Sequence, residues 1–128
     1  MNNVEKLLLK YANYEFQEPA YGTSEFKNFC TKLKNAMRRD INKNFPNLEI
    51  SVWTKGYFEV SGFITRKTDG AIFYFYIADV RYNDMLKDQQ LYRAARHLND
   101  CLGGRNRYCA MGEILKMIAT EHNEFIGC

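Results

Sequence analysis

Six basic side chains, Lys27, Lys32, Lys34, Arg38, Arg39 and Lys43, fall in a stretch whose only acid is Asp40, giving residues 27–43 a local net charge of +5. Placed at roughly 100° per residue on a helix, Lys27, Lys34 and Arg38 line one flank and Lys32, Arg39 and Lys43 the other. Asn28, Asn35 and Asn42 lie between them. Such a face is either a solvated surface whose long side chains snorkel from the core edge or a ridge that contacts phosphates or an acidic protein surface.

A second basic group, Arg93, Arg96, Arg105 and Arg107, brackets Gly103-Gly104, with Asn106 and Tyr108 in the same stretch. Guanidinium groups can hold carboxylates or phosphates through paired hydrogen bonds, and glycine lets backbone N–H groups approach an anion. The chain has no Gly-x-x-x-x-Gly-Lys-Ser/Thr phosphate loop, so a plain loop with structural arginines is the other reading. Arg81 directly follows Asp79-Val80 and is expected to pair internally with Asp79 or Asp84.

For metal chemistry the sequence offers His97, Cys101, Cys109 and His122, which are zinc-ligand types at a spacing that matches no recognised finger. For covalent chemistry it offers His97 with Cys101 one helical turn on as a thiolate–imidazole pair, with neither a Gly-x-Ser-x-Gly context nor a paired-carboxylate signature. The expectation is therefore no metal, no cofactor and no enzymatic activity.

The elements that position these groups follow from hydrophobic periodicity. Val4, Leu7, Leu8, Tyr11 and Tyr14 predict a helix over 3–16, with Asn2 and Glu5 placed like a capping box. Phe26, Phe29, Cys30, Leu33, Met37 and Ile41 give a second helix, capped by Thr23 or Ser24 and stopped near Asn44 by Pro46. The period then becomes two. A strand from Leu48 with Leu48, Ile50 and Val52 on one face, a turn at Lys55-Gly56, a strand over 57–66, a turn at Lys67-Thr68-Asp69-Gly70 and a strand over 71–79 make an antiparallel meander. The third strand, Ile72-Phe73-Tyr74-Phe75-Tyr76-Ile77, is apolar or aromatic on both faces. Its second face needs a cover, either the C-terminal helices or a partner protein. A helix over 83–97, a glycine-rich loop over 99–108 and a helix over 111–121 complete the expected ααβββαα order, an α+β class with a three-stranded sheet between helix pairs.

At 128 residues, 46% hydrophobic and 15% aromatic, the chain is expected to form one domain with one core. Neither an apolar run of about 20 residues nor a basic and apolar leader is visible, so the expected location is the cytoplasm, with no membrane partner. Cys30, Cys101, Cys109 and Cys128 include no Cys-x-x-Cys pair and are expected to be thiols. The net charge of +3 is too mild to imply nucleic-acid binding unless it is concentrated, as it is over 27–43.

The stretches Ile77-Ala78-Asp79-Val80-Arg81-Tyr82, Leu91-Tyr92-Arg93-Ala94-Ala95-Arg96-His97 and Gly103-Gly104-Arg105-Asn106-Arg107-Tyr108 resemble small domains encoded by phages and conjugative elements, which also occur inside large polyvalent proteins. The likeness covers about the last half of the chain. It implies an accessory role in a mobile element, of the kind that includes anti-restriction and anti-CRISPR proteins. The functional expectation is a non-enzymatic inhibitor that binds a host defence nuclease, such as an RNA-guided effector, or its guide complex in the bacterial cytoplasm. A DNA- or RNA-binding accessory module is the second reading, and a structural oligomer using the aromatic strand is the third. The candidate contact residues are Lys27, Lys34, Arg38, Arg39, Arg81, Arg93, Arg96, Arg105, Asn106, Arg107 and Tyr108.

Overall fold

The apolar stripe of the second helix seats it on a sheet, and the sheet is larger than periodicity alone predicts. The computed structural model describes residues 3–12, 24–55, 59–78, 89–100 and 102–122. In chain order these form α1 (Asn3–Ala12), α2 (Ser24–Asn44), β1 (Leu48–Lys55), β2 (Glu59–Arg66), β3 (Ala71–Ala78), β4 (Gln89–Ala95), β5 (Arg107–Ala110) and α3 (Ile114–Thr120). The strands make one antiparallel sheet in the order β1-β2-β3-β4-β5. The class is α+β, as expected. The ααβββαα order is corrected to two helices, five strands and one helix.

The correction falls on residues 89–95. Gln, Leu, Arg and Ala are good helix formers, which favours a helix there on local grounds. The open edge of β3 decides otherwise. β4 pairs along it with Ile72 opposite Ala95, Tyr74 opposite Arg93 and Tyr76 opposite Leu91. Burial in β4 alternates with the period of a strand: Gln90, Tyr92 and Ala94 are buried while Leu91 and Arg93 are half-buried. Part of the expected loop is likewise a strand, since Arg107–Ala110 pairs with β4, Leu91 opposite Tyr108. Residues 83–88 of the expected helix, together with Asn2, Tyr14, Thr23, Gly56 and Arg81, lie outside the described residues.

One face of the sheet carries Val60, Ile64, Phe73, Phe75, Ile77, Tyr92 and Cys109, which join Val4 and Leu8 of α1, the α2 stripe, and Ile114, Leu115 and Ile118 of α3 in one core. All three described helices thus pack on the same face. The expectation that C-terminal helices cover the second face of β3 is corrected, because α3 contributes to the first. On the second face Tyr74 lies between Phe63, with ring centroids 5.4 Å apart, and Arg93, whose guanidinium sits 4.4 Å from the Tyr74 ring centroid.

β1 departs from strict alternation. Ile50 pairs with Ile64 and Val52 with Phe63, leaving Ser51 as a bulge. The phase flips there, so Trp53 rather than Val52 turns toward the core, 5.8 Å from the Phe75 ring. Gly62, opposite Trp53, makes room for this: a Cβ on it would strike the Val52 carbonyl oxygen and approach the Phe75 ring to 3.0 Å. The β2–β3 turn forms as expected, with Gly70 at φ +73°.

Arg66, at the end of β2, is the polar centre of the core. It is 6% exposed and holds Asp69 at 2.7 Å. It also donates to the carbonyls of Ile118 at 2.8 Å and Glu121 at 2.7 Å, at the C-terminal end of α3. A cation there meets the carbonyls that a helix end leaves unpaired. Glu121 completes the junction by accepting from the Tyr92 hydroxyl at 3.1 Å and pairing with Arg107, so α3 is tied to β2, β4 and β5 together.

Arg66→Met should therefore cost about 2–3 kcal/mol, because it leaves the helix-end carbonyls without their donor and removes the charge-assisted bonds to Asp69; urea unfolding measures it, and a loss within error would contradict the assigned role. Gln90 is fully buried, and its side-chain oxygen has no hydrogen-bond partner among the described residues. Gln90→Met should raise stability by about 1 kcal/mol in the same assay, since it removes an unsatisfied acceptor at similar volume.

Candidate functional site

The long α2 helix displays its charge because its apolar stripe leaves it no other rotation. Phe29, Cys30, Leu33, Ala36, Met37 and Ile41 are all buried. On the opposite side Lys27, Lys32, Arg38, Arg39 and Lys43 are exposed with Asn28, Asn35 and Asn42, and Lys34 is half-buried. Among the described residues none of these six cations forms an ion pair. Asp40, the only acid in the stretch, instead accepts a hydrogen bond from the Asn44 side chain.

Two clefts border this ridge. The first, about 320 Å³, lies between α1 and α2 and is lined by Asn3, Lys6, Leu7, Lys32, Asn35 and Arg39. The second, about 280 Å³, lies where α2 meets the sheet and is lined by Arg38, Ile41, Asn42, Leu48, Glu49, Ile50 and Lys67. Among the described residues the first is lined by three cations and no acid. Lys6 was not among the candidates read from sequence, because it lies far from 27–43 in the chain and only the packing of α1 on α2 brings it there.

The arginine group has a different character. Asp100 is buried at 2% exposure and accepts from the Arg96 backbone N–H at 2.9 Å, its Nε at 2.9 Å and Nη2 at 3.0 Å, and from the Leu102 N–H at 3.0 Å. These bonds, the Arg96 side-chain bond foremost, hold the Asp100 carboxyl well below the usual carboxylate range. Arg93 stacks on Tyr74 and donates to the Asn106 side chain at 3.2 Å, while Arg107 pairs with Glu121. Arg105 is exposed, and Tyr108 is 49% exposed on the second face of the sheet. Gly103 packs its backbone against β4, where a Cβ would come within 2.6 Å of the Ala94 carbonyl oxygen. Close packing, rather than approach to an anion, accounts for that glycine. Arg81 lies outside the described residues.

The two basic groups do not form one surface. α2 packs over β1, and Arg107 lies on β5 at the other edge, four strand spacings or roughly 19 Å away.

The residues considered for metal and thiol chemistry are dispersed in character. Cys109 is buried, its thiol pointing to the Gln90 carbonyl at 3.8 Å, and burial pushes its pKa up to about 12, far from the thiolate that nucleophilic catalysis requires. His97 is exposed and bonds the Leu98 carbonyl oxygen through Nδ1 at 2.8 Å. It sits in a bend after β4, so the helical spacing expected between it and Cys101 does not hold; Cys101 itself lies outside the described residues. Among the described residues no group of three His, Cys, Asp or Glu side chains could hold a metal, and no helix is long and apolar enough to cross a membrane.

In comparisons with known proteins, no family model, curated protein or solved structure matches the chain.

The depressed Asp100 carboxyl carries a pH signature. Its contribution to stability is present above the unfolded value of roughly 4 and is lost as pH falls through that value toward the lower folded one. Urea midpoints recorded between about pH 6 and pH 2 should fall more steeply for wild type than for Asp100→Asn, and parallel curves would remove Asp100 from the acid response.

Proposed function

We propose that this chain is a small anti-defence protein of a phage or other mobile element, a non-enzymatic inhibitor that engages a host defence nuclease of the RNA-guided kind, or its guide complex, through the outward face of α2. One observation carries the reading: six cations stand along that face, and none forms an ion pair among the described residues. Uncompensated charge of this density serves recognition of an anionic counterpart, since a merely solvated helix gains by interspersing acids with bases.

RNA-guided nucleases present such counterparts in their guide phosphates and in the carboxylates of their catalytic centres. An inhibitor needs only a rigid domain with one complementary face, and α2 supplies the face while the core supplies the rigidity. The resemblance of residues 77–82, 91–97 and 103–108 to mobile-element domains suggests the biological setting, but the helix it implies over 91–97 is largely strand β4 in this chain, so the reading leans on α2. Within the arginine group, Arg93, Arg96 and Arg107 have internal partners, so α2 is the primary face and Arg105 with Tyr108 a secondary one. The same α2 face also suits a module that binds the element's own DNA or RNA directly.

The test is transformation of a bacterium that carries an active RNA-guided nuclease with a plasmid bearing its target, across a panel of such nucleases. Wild-type protein should restore transformation to the level of an untargeted plasmid for at least one nuclease. Lys34→Glu/Arg38→Glu should abolish the rescue while leaving expression and thermal stability unchanged. Rescue that survives this charge reversal would reject α2 as the working face; absence of rescue across the panel would reject the anti-defence reading and leave direct nucleic-acid binding in its place.

A further inference from the structure

We infer that the cleft between α1 and α2 is a phosphate-binding site, taking the phosphodiester of a nucleic-acid strand as its ligand. The inference rests on reading the outward face of α2 as the working surface, but not on which defence system is the target. Lys32, Asn35 and Arg39 are one, two and three points along a single stripe of α2, at i, i+3 and i+7, so their side chains stack along the same wall. Asn3 and Lys6, at i and i+3 on α1, form the facing wall, with Leu7 as the apolar floor. Every polar group lining the cleft can donate hydrogen bonds: two ammonium groups, one guanidinium and two amides.

That composition selects the ligand. Three like charges around one cleft repel one another, and among the described residues the lining supplies no carboxylate to offset them. A bound anion removes the repulsion. A carboxylate has two oxygens and is satisfied by one guanidinium fork, which leaves two lysines and two amides unused. A phosphodiester strand supplies acceptors for both walls, because each phosphate carries two charged non-bridging oxygens on a tetrahedral phosphorus and the next phosphate follows along the chain. The row continues beyond the cleft: Lys43 follows Arg39 by four residues on the same flank, about 6 Å along the helix axis. A repeating polyanion can use that second position, whereas a lone anion cannot. The neighbouring cleft, where Glu49 sits among Arg38 and Lys67, lacks this purity of sign.

Fluorescence anisotropy with a labelled single-stranded oligonucleotide tests the inference, with inorganic phosphate, a mononucleotide and a poly-glutamate peptide as competitors. Wild type should bind the oligonucleotide, and phosphate should compete. Lys32→Gln/Arg39→Gln should weaken binding by about tenfold or more and lower the slope of log affinity against log salt by about 1 to 2, at roughly 0.7 per lost phosphate contact on a single strand. Lys116→Glu, with the same change of two charge units but away from both clefts, should weaken it by less than about threefold, a general field effect. Thermal melts of both variants control for folding, since all three substituted side chains are exposed. A mononucleotide that competes as well as a longer strand keeps the phosphate site but assigns its source to a free nucleotide. Poly-glutamate competing as strongly as the oligonucleotide, equal losses in the two variants, or no binding by wild type would each overturn the site. None of these outcomes depends on rescue in the transformation assay, so the two readings fail separately.

Discussion

The rotation of α2 about its own axis is the constraint from which the rest follows. Six side chains, Phe29, Cys30, Leu33, Ala36, Met37 and Ile41, are buried along one stripe, and the larger ones are worth about 1.5–3 kcal/mol each in apolar transfer. Turning the helix by one residue, roughly 100°, would drive Lys27, Lys34 and Arg38 toward the sheet. Each charge taken out of water without a partner costs several kcal/mol. Apolar burial therefore fixes the electrostatics: the cations face outward because the opposite stripe has a place to go.

The arginines divide by the company they keep. Arg66, Arg96 and Arg107 each have a carboxylate partner and each fastens one part of the fold to another: a helix end to a strand, a loop to itself, an edge strand to α3. Arg38 and Arg39 on α2 do no such work. A count of basic residues, or the net charge of +3, cannot make this distinction, because it depends on where the acids are. Asp69, Asp100 and Glu121 all serve the sheet and its loops, and the α2 ridge is left with the excess.

How much of this is legible from residues alone differs by element. α2 shows itself through its stripe and the following Pro46, and its outward charge follows from the same wheel. The β2–β3 turn shows itself through Asp69-Gly70. β4 does not, because its residues are locally good helix formers and only the need to pair the open edge of β3 makes them a strand; its buried partners are distant in the chain. The phase change in β1 is equally hidden, since Ser51 carries no local mark of a bulge and the freedom for it comes from Gly62 on the next strand. At the candidate site the α2 half was readable, while Lys6 and Asn3 were not, because their place depends on helix packing.

Among the described residues no strand pairs outside β1 or β5, and both borders of the sheet are poor templates for growth. β5 is only four residues long, and β1 is interrupted at Ser51, where the strand kinks away from flat pairing. A foreign strand seeking backbone hydrogen bonds finds a short ledge on one side and a bent one on the other. Strand-by-strand accretion into fibres is thereby discouraged in a chain rich in Tyr and Phe.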